Sequence, residues 1–291
     1  MLDQAQLLRN YLDGKKEQAE IPKEAEKKAR IITVTSGKGG VGKSNFSVNF
    51  AIELSKNGKN VLIIDADFGL SNIDVIFGIT PRYDLSDVLK RSKRMVDVIT
   101  EGPYGVKFIS GGSGELDLLS LDDEGLDFFL DEMNDLEKNV DFIIFDTGAG
   151  INDNFLKLMQ ASDEVVLVMT PEPPAIVDAY ALFKTLISVD KSARIRLAMN
   201  KVESSSESNK IIENFRHVTM NYLKCDFDEL GFIVNDSSVV KAVKKQQPFT
   251  ICYPNCTASK NISDMATKFL SISEKKNKLS FKLFFKNIIK R

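Results

Sequence analysis

The chain has 291 residues, of which 43% are apolar and 27% are charged, a balance that suits a soluble globular protein with a large buried core. Its 39 basic and 41 acidic residues give a net charge of −2, which disfavours a protein that coats nucleic acid with a basic surface. Three cysteines without a regular framework disfavour a disulfide-stapled secreted protein, and no apolar run approaches the roughly 20 residues that span a bilayer. The first residues also lack the pattern of a signal peptide. We therefore expect a cytoplasmic protein whose membrane contact, if any, is peripheral.

Two segments of different composition precede the first predicted strand. Residues 1–12 carry apolar side chains at the spacing of one helix face, which predicts a short helix. Residues 13–29 are dominated by charges of both signs and are interrupted by Pro22, which predicts a mobile linker. A short helix on its own is marginal in water, so we expect a detachable N-terminal arm.

From residue 30 to residue 272 the chain alternates short apolar runs with stretches of helical periodicity. The predicted strands are residues 29–36, 59–65, 106–110, 141–146, 164–170, 194–200 and 229–234. The predicted helices are residues 45–58, 123–138, 152–161, 174–188, 206–224 and 237–244. Short, fully apolar strands that alternate with helices indicate an α/β fold with a doubly wound, mainly parallel sheet flanked by helices. We expect one domain over residues 30–272.

The first predicted strand runs into a glycine-rich loop that has the P-loop pattern. The pattern is Gly37-x4-Gly42-Lys43-Ser44, between a strand and a helix, which is the context that such a loop requires. The glycines let backbone N–H groups surround a phosphate, and the following helix adds its positive N-terminal end. Lys43 can then reach the β- and γ-phosphates, and the Ser44 hydroxyl can ligate Mg²⁺. The predicted nucleotide-binding residues of the loop are Gly37, Lys38, Gly39, Gly40, Val41, Gly42, Lys43, Ser44 and Asn45.

The loop sequence KGGVGKS resembles the deviant Walker A motif of the MinD/ParA/nitrogenase-iron-protein class. The resemblance implies a MinD-like P-loop ATPase in which Lys38 crosses a dimer interface to the nucleotide of the partner subunit. ATP would then join two protomers into a homodimer. A cation supplied by a partner can also stabilise the charge that develops on a transferred phosphoryl group.

Three aspartates follow predicted strands and would lie near the loop. Asp65 and Asp67 end one strand, and Asp146 ends another, at the edge where ligands of doubly wound sheets bind. The alternative role for such an acid is to cap the next helix. By resemblance to MinD, Asp67 would polarise the attacking water, and Asp65 and Asp146 would hold Mg²⁺ together with Ser44. The implied activity is Mg²⁺-dependent ATP hydrolysis that is slow until a partner completes the site.

The resemblance also places an adenine pocket near the end of a later strand. Asn200 would read the edge of the base, and residues 234–236 would flank it. Related proteins often have proline in that last segment, where this chain has Val234, Asn235 and Asp236. The expected adenine contacts are therefore Asn200 and Asp236.

The C-terminal residues form a basic tether (273–278) and an amphipathic segment (279–291). Its apolar face follows the i, i+3, i+4, i+7 spacing of a helix and consists of Phe281, Phe284, Phe285, Ile288 and Ile289. Lysines occupy the other side, which is typical of a helix that lies on an anionic membrane. Two such helices in an ATP-bound dimer would bind more tightly than one, so ATP would control residence on the inner face of the cell membrane. The alternative is a final helix packed on the core of the protein.

The N-terminal arm resembles the DQAxxLR segment of the FlhG family (also called YlxH or FleN), MinD relatives that control flagellar placement and number. The matching residues are Asp3, Gln4, Ala5, Leu8 and Arg9. The resemblance continues through residues 65–79, 111–120 and 146–151. It implies that the arm stimulates the GTPase FlhF, with Gln4 acting near the nucleotide of FlhF, and that flagellar switch or C-ring proteins are further partners. The alternative reading of the arm is a disordered terminus.

Other functions fit parts of the pattern. A division-site MinD would keep the ATPase and the membrane helix without needing residues 1–29. A ParA-like partitioning or transcription-linked ATPase would bind DNA, which the acidic balance does not favour. An iron–sulfur carrier would use Cys252 and Cys256, and an adaptor would bind ATP without hydrolysing it. His217 is the single histidine of the chain, so a catalytic triad or a histidine metal cluster is excluded within one chain.

Overall fold

The computed structural model describes residues 29–67, 72–112, 128, 131–132 and 136–272. The predicted N-terminal arm, its linker up to residue 28, and the predicted tether and membrane helix (273–291) lie outside the described residues. Most of the predicted helix 123–138 does so as well. The domain boundaries and the functions assigned to these segments therefore stay predictions.

The described part of the chain alternates strands and helices as the sequence predicted. The strands are β1 (Arg30–Ser36), β2 (Val61–Asp65), β3 (Thr100–Glu101), β4 (Lys107–Ile109), β5 (Phe142–Ala149), β6 (Glu164–Met169), β7 (Ile195–Val202) and β8 (Asp228–Val234). The helices are α1 (Lys43–Lys56), α2 (Ile73–Phe77), α3 (Leu85–Leu89), α4 (Met95–Val98), α5 (Asp153–Ala161), α6 (Pro173–Val189), α7 (Ser205–Leu223), α8 (Ser237–Lys244), α9 (Phe249–Cys252) and α10 (Thr257–Ser271). None of these helices is both long and apolar enough to cross a membrane.

The strands form one sheet in the order β3-β4-β2-β5-β1-β6-β7-β8. All neighbouring pairs are parallel except β3 with β4. The central strand β1 lies between β5 and β6, so the chain reverses its direction of winding there. The predicted doubly wound, mainly parallel α/β fold is confirmed, and its switch point lies at the end of β1.

Helices cover both faces of the sheet because the strands are apolar on both sides. Ile144 of β5 faces a core formed mainly with α1, α2, α8, α9 and α10. Its neighbours Ile143 and Phe145 face the opposite core, which α3, α4 and α5 complete. Further along the sheet, α5, α6 and α7 cover β6 and β7 on that second face. Buried strands of this kind explain why the apolar runs in the sequence are continuous.

Helix α10 was not predicted from the sequence. It runs along the sheet from one end of the strands to the other. At its start, the N–H of Ala258 lies 3.4 Å from Oδ2 of Asp236. At its end, the ring of Phe269 makes an edge contact with Phe50 of α1 at 5.3 Å between centroids and lies 5.8 Å from the ring of Phe142, the first residue of β5. The helix therefore spans the sheet from the carboxyl ends of the parallel strands to their amino ends.

A cluster of charged side chains lies at the amino ends of the parallel strands, which we call the amino edge, where α10 ends. The carboxylate of Glu164 is 1% exposed and pairs with the guanidinium groups of Arg30, Arg194 and Arg196. The guanidinium carbons of Arg30 and Arg196 lie 4.4 Å and 4.9 Å from the centre of the Phe269 ring. Burial and the nearby Arg194 lower the pKa of Arg196 to about 10, so it stays charged at neutral pH. This cluster fixes the last turns of α10 to the sheet.

Candidate functional site

A cavity of about 680 Å³ opens at the carboxyl edge of the sheet, beside the end of β1. Its wall contains most of the predicted nucleotide-binding residues: Lys38, Gly39, Gly40, Val41, Gly42, Lys43, Ser44, Asn45, Asp67, Asn200 and Asp236. The other predicted residues of the site, Gly37, Asp65 and Asp146, lie next to residues of this wall. The fold thus brings together side chains that are up to 199 positions apart in the sequence, from Gly37 to Asp236.

The glycines of the loop are required by close approach and by backbone conformation. A Cβ on Gly37 would lie 2.3 Å from the backbone carbon of Asp178, so the loop packs directly on α6. Gly40 and Gly42 have φ values of 78° and 93°, which glycine adopts at little cost. At Gly42 a Cβ would also lie 2.4 Å from the amide nitrogen of Asn200. Larger residues would therefore displace the loop from β7 and α6.

Lys43 and Asp146 form the buried centre of the site. Lys43 begins α1 and is 9% exposed, and Asp146 on β5 is 1% exposed. Oδ1 of Asp146 accepts a hydrogen bond from the Ser47 hydroxyl at 2.8 Å. Its Oδ2 is buried and has no hydrogen-bond partner among the described residues. Burial raises the pKa of Asp146 above its usual value, which the Lys43 ammonium and the hydroxyls of Ser44 and Ser47 oppose.

Asp65 and Asp67 follow β2 on the same side of the cavity. The Asp65 carboxylate accepts hydrogen bonds from the backbone N–H groups of Asp67 at 3.0 Å, Asn72 at 2.9 Å and Ile73 at 3.3 Å. It therefore links the residue after β2 to the start of α2. Burial raises the pKa of Asp67, and the nearby Lys43 opposes this.

Gly148 of β5 separates Asp67 from an aromatic ring. A Cβ on Gly148 would lie 2.9 Å from the ring of Phe155 and 3.0 Å from Oδ1 of Asp67. Both side chains therefore rest on the glycine that comes two residues after Asp146. The next glycine, Gly150, has a φ of 91°, and its N–H donates to the carbonyl of Ser36 at 2.9 Å. Segment 146–150 thus contacts both Asp67 and the start of the phosphate loop.

Two residues at the end of β7 contact the loop from the other side. Nδ2 of Asn200 donates to the carbonyl of Val41 at 2.7 Å. Nζ of Lys201 donates to the carbonyl of Gly40 at 2.8 Å. Lys201 also lines the cavity, and the sequence analysis did not identify it. No local pattern marks this lysine, because its position depends on the pairing of β7 with β8.

Asp236 lies in the wall, but its carboxylate caps α8. Oδ1 accepts a hydrogen bond from the N–H of Ser238 at 2.8 Å. Burial alone would raise the pKa of Asp236, but the hydrogen bonds from Ser238, Ala258 and Cys256 outweigh it, so the pKa is lowered. Asp236 therefore caps the start of α8, which is the alternative role of an acid at such a position. Its expected contact with adenine stays a prediction.

The cysteines and the single histidine lie outside this cavity wall. Cys225, Cys252 and Cys256 are free thiols. Within the described ranges, no group of three or more His, Cys, Asp and Glu side chains is placed to hold a metal ion. His217 lies on α7 and contacts Asn221 one turn further on.

The sequence matches the family described as the CobQ/CobB/MinD/ParA nucleotide binding domain over residues 32–249. A chain of the MinC:MinD cell division protein complex of Aquifex aeolicus has the same fold, with a TM-score of 0.69 and 27% identity, over 87% of this chain and 100% of that chain. The fold and the site therefore define a nucleotide-binding domain of the MinD/ParA class of NTP hydrolases.

Two relatives narrow this class to one family. The Antiactivator FleN of Pseudomonas aeruginosa is 37% identical over 239 residues, which are 82% of this chain and 85% of FleN. The Flagellum site-determining protein YlxH of Helicobacter pylori is 37% identical over 267 residues, or 90% of each protein. The chain belongs to the FlhG/FleN family of MinD-like ATPases, which confirms the resemblance seen in the sequence.

Proposed function

We propose that this protein is an ATP-switched regulator of flagellar number and placement. In this proposal it dimerises on ATP, docks on the anionic inner face of the cell membrane through residues 279–291, and stimulates the GTPase FlhF through residues 3–9. The observation that carries the proposal is the combination of the phosphate loop, Lys43 and Asp67 in one cavity of a chain that resembles FleN and YlxH over most of its length.

The residues around the loop fit a magnesium ion. The second carboxylate oxygen of Asp146 is buried without a hydrogen-bond partner in the described part of the chain, and oxygen ligands are what Mg²⁺ prefers. Asp146 and the Ser44 hydroxyl would hold the ion, with Asp65 as a further oxygen ligand. When bound, Mg²⁺ neutralises charge on the phosphates and orients them.

The chain supplies the remaining groups for hydrolysis. Lys43 is placed to neutralise phosphate charge from the base of the cavity, and the N–H groups of the loop and of the first turn of α1 bind phosphate oxygens. Asp67 would orient the attacking water, because its carboxylate faces the same cavity and Gly148 holds its position. Lys38 is exposed at the mouth of the cavity, where it is available to a second protomer. In this proposal a monomer lacks one cation of the complete site, so we expect its turnover alone to be slow.

The role of the N-terminal arm is tested by GTP hydrolysis of the cognate FlhF-type GTPase in the presence of the full-length protein. We expect stimulation by the wild type and by the Gln6→Ala variant, and loss of stimulation in the Gln4→Ala variant. The two substitutions remove the same side chain two residues apart, so composition and helix propensity are matched. Equal stimulation by both variants would refute the role of Gln4. If the wild type did not stimulate GTP hydrolysis, the hypothesis of a division-site MinD would be favoured over that of a flagellar regulator.

Membrane docking is tested by flotation with vesicles that contain anionic lipid, in ATP, in ADP and without nucleotide. We expect binding to be strongest in ATP, because two amphipathic segments then act together. Phe284→Asp should abolish it, whereas Asn287→Asp adds the same charge outside the apolar face and should weaken it less. Equal binding in all three nucleotide states would contradict the ATP switch.

A further inference from the structure

The end of β7 contains a β-bulge that turns two consecutive side chains toward the phosphate loop. Asn200 pairs with Ile233 and Val202 pairs with Val234, so Lys201 is the extra residue between two successive pairs. In a regular strand, Asn200 and Lys201 would point to opposite faces of the sheet. Bulges redirect side chains and occur next to active sites. Here both side chains bind the loop, on the adjacent carbonyls of Val41 and Gly40.

The backbone of Lys201 is in a conformation that lysine rarely adopts. Its φ is 60°, in the left-handed region where residues other than glycine are uncommon. A residue held in such a conformation next to a binding site is a candidate for a functional role. The conformation is what allows the bulge, and the bulge is what brings the ammonium group within 2.8 Å of the Gly40 carbonyl.

These contacts fix the direction of the N–H groups of the loop. In a trans peptide the carbonyl of one residue and the N–H of the next point in opposite directions, and the described residues contain no cis peptide bond. Lys201 holds the carbonyl of Gly40, so the N–H of Val41 points away from β7. Asn200 does the same for the peptide between Val41 and Gly42. The Ser36 hydroxyl donates to the carbonyl of Lys38 at 2.9 Å, which orients the N–H of Gly39.

Without such contacts, a loop rich in glycine would sample many conformations. Gly40 and Gly42 both have positive φ, and glycine reaches negative φ with equal ease. Fixing the peptide planes before the ligand arrives removes an ordering cost from binding. The Lys201 ammonium also keeps a positive charge beside a loop that binds an anion.

We infer that Lys201 is a positioning residue of the phosphate loop, which holds the Gly40–Val41 peptide in the orientation that binds a nucleotide phosphate. The inference rests on the proposed ATP site and adds a residue to it. It predicts that loss of the ammonium group weakens nucleotide binding without unfolding the protein, and that a guanidinium in its place restores much of the affinity, since it also donates to carbonyls.

The test measures the Kd of ATP and of ADP for the full-length protein by calorimetric titration, with the thermal midpoint recorded for each variant. We expect Lys201→Met to raise both Kd values about tenfold, as for the loss of a hydrogen bond from a charged group. Lys201→Arg should stay within about threefold of the wild type. Lys201→Gly should bind as weakly as Lys201→Met, although glycine relieves the left-handed backbone. The Gly variant therefore carries the test even where the Met variant folds poorly.

Lys224 provides a matched control, because it is an exposed lysine with a φ of 55° at the end of α7, away from the cavity wall. Lys224→Met and Lys224→Gly should leave both Kd values unchanged. Wild-type affinity of the Lys201→Met variant would overturn the inference. Wild-type affinity of the Lys201→Gly variant alone would overturn it as well, because the backbone conformation and not the side chain would then determine binding. The Kd of ATP for the Lys43→Met variant distinguishes failure of this inference from failure of the proposed function. If Lys43→Met also binds like the wild type, the proposed ATP site itself is wrong.

Discussion

Buried charged side chains lie at both ends of the parallel strands, the amino edge and the carboxyl edge, but they have different partners. At the amino edge, Glu164 receives three arginines, and two of their guanidinium groups lie on the Phe269 ring. A cavity of about 540 Å³ lies beside this cluster, yet the arginines in its wall, Arg30 and Arg194, are already paired with acids. The cluster therefore serves the stability of the fold.

At the carboxyl edge, the charges keep hydrogen-bonding capacity for a ligand. One oxygen of the Asp146 carboxylate has no hydrogen bond within the described ranges, and the loop directs N–H groups away from the strands that hold it. Burial raises the pKa of both Asp67 and Asp146, which reflects the cost of removing each carboxylate from water. In the described ranges, buried polar atoms without a hydrogen bond occur at both ends of the strands, on the Arg196 guanidinium as well as on Asp146. What distinguishes the carboxyl ends is that the unpaired Asp146 oxygen lies next to a cavity lined by the phosphate loop.

The largest expected effect is a loss of stability on substitution at the amino edge. Glu164→Gln would leave three arginines without their shared carboxylate, and breaking a buried ion pair costs about 3 kcal/mol or more. We expect a loss of about 3 kcal/mol in the free energy of unfolding, measured by urea denaturation. Asp228→Asn removes another partner of Arg194 that is half exposed, and should cost about 0.5 kcal/mol. Equal losses in the two variants would show that the cluster is not a unit.

The next effect concerns affinity and belongs to the carboxyl edge alone. Lys43→Met removes the buried cation of the loop, and we expect the Kd of ATP to rise about a hundredfold. Lys56→Met alters the last residue of the same helix, 13 positions along, where the ammonium pairs with Glu53 at 2.6 Å. That variant should bind ATP like the wild type, measured by titration. Similar losses in both variants would mean that affinity follows the integrity of α1 and not the loop.

A smaller effect is expected on turnover. Gly148→Ala would place a methyl group against both the Phe155 ring and the Asp67 carboxylate, so Asp67 must move. Because small displacements of a positioned group are costly in catalysis, we expect ATP hydrolysis to fall about tenfold while the Kd of ATP stays unchanged. Phosphate release under single-turnover conditions measures this. Phe155→Leu in the Gly148→Ala background makes room for the methyl group, and a failure to recover activity would show that a methyl group wedged between Phe155 and Asp67 is not the cause of the loss.

The smallest effect tests the cap of α8. Asp236→Ala should lower the free energy of unfolding by about 1 kcal/mol at pH 7. The pKa of Asp236 is lowered in the folded protein, so its contribution is complete above its ordinary pKa of 3.8 and is lost as the pH falls through the lower folded value. Urea denaturation at pH 7 and pH 3 should therefore show the difference from the wild type shrinking at the lower pH. Asp264→Ala, at an exposed site on α10, is the control and should cost less stability than Asp236→Ala at pH 7.

The strands and the loop could be predicted because their signals are local. The run FIIFD that begins β5 is apolar on both faces. The loop pattern is recognised by its glycines and by Lys43 and Ser44, which follow them. Helix α10 carried a weaker signal. Its buried residues Ala258, Ile262, Met265 and Phe269 follow one helix face, but small and polar residues between them dilute the pattern.

Other features depend on contacts that the sequence does not display. The bulge at Lys201 arises from the register between β7 and β8, strands that are separated by α7. The contacts of Asp65 with three backbone N–H groups follow from the path of the chain after β2. The antiparallel strand β3 has only two residues, too few for a periodic signal. Such features are set by tertiary structure and not by local preference.

Helix α10 is about 22 Å long at 1.5 Å per residue, and it starts beside the cavity wall and ends in the charged cluster of the amino edge. In mechanical terms its far end is the pivot, because Phe269 is clamped between guanidinium groups and the sheet. We expect movement at the cavity end to be taken up by the first turns of the helix, because its last turns are held by the charged cluster.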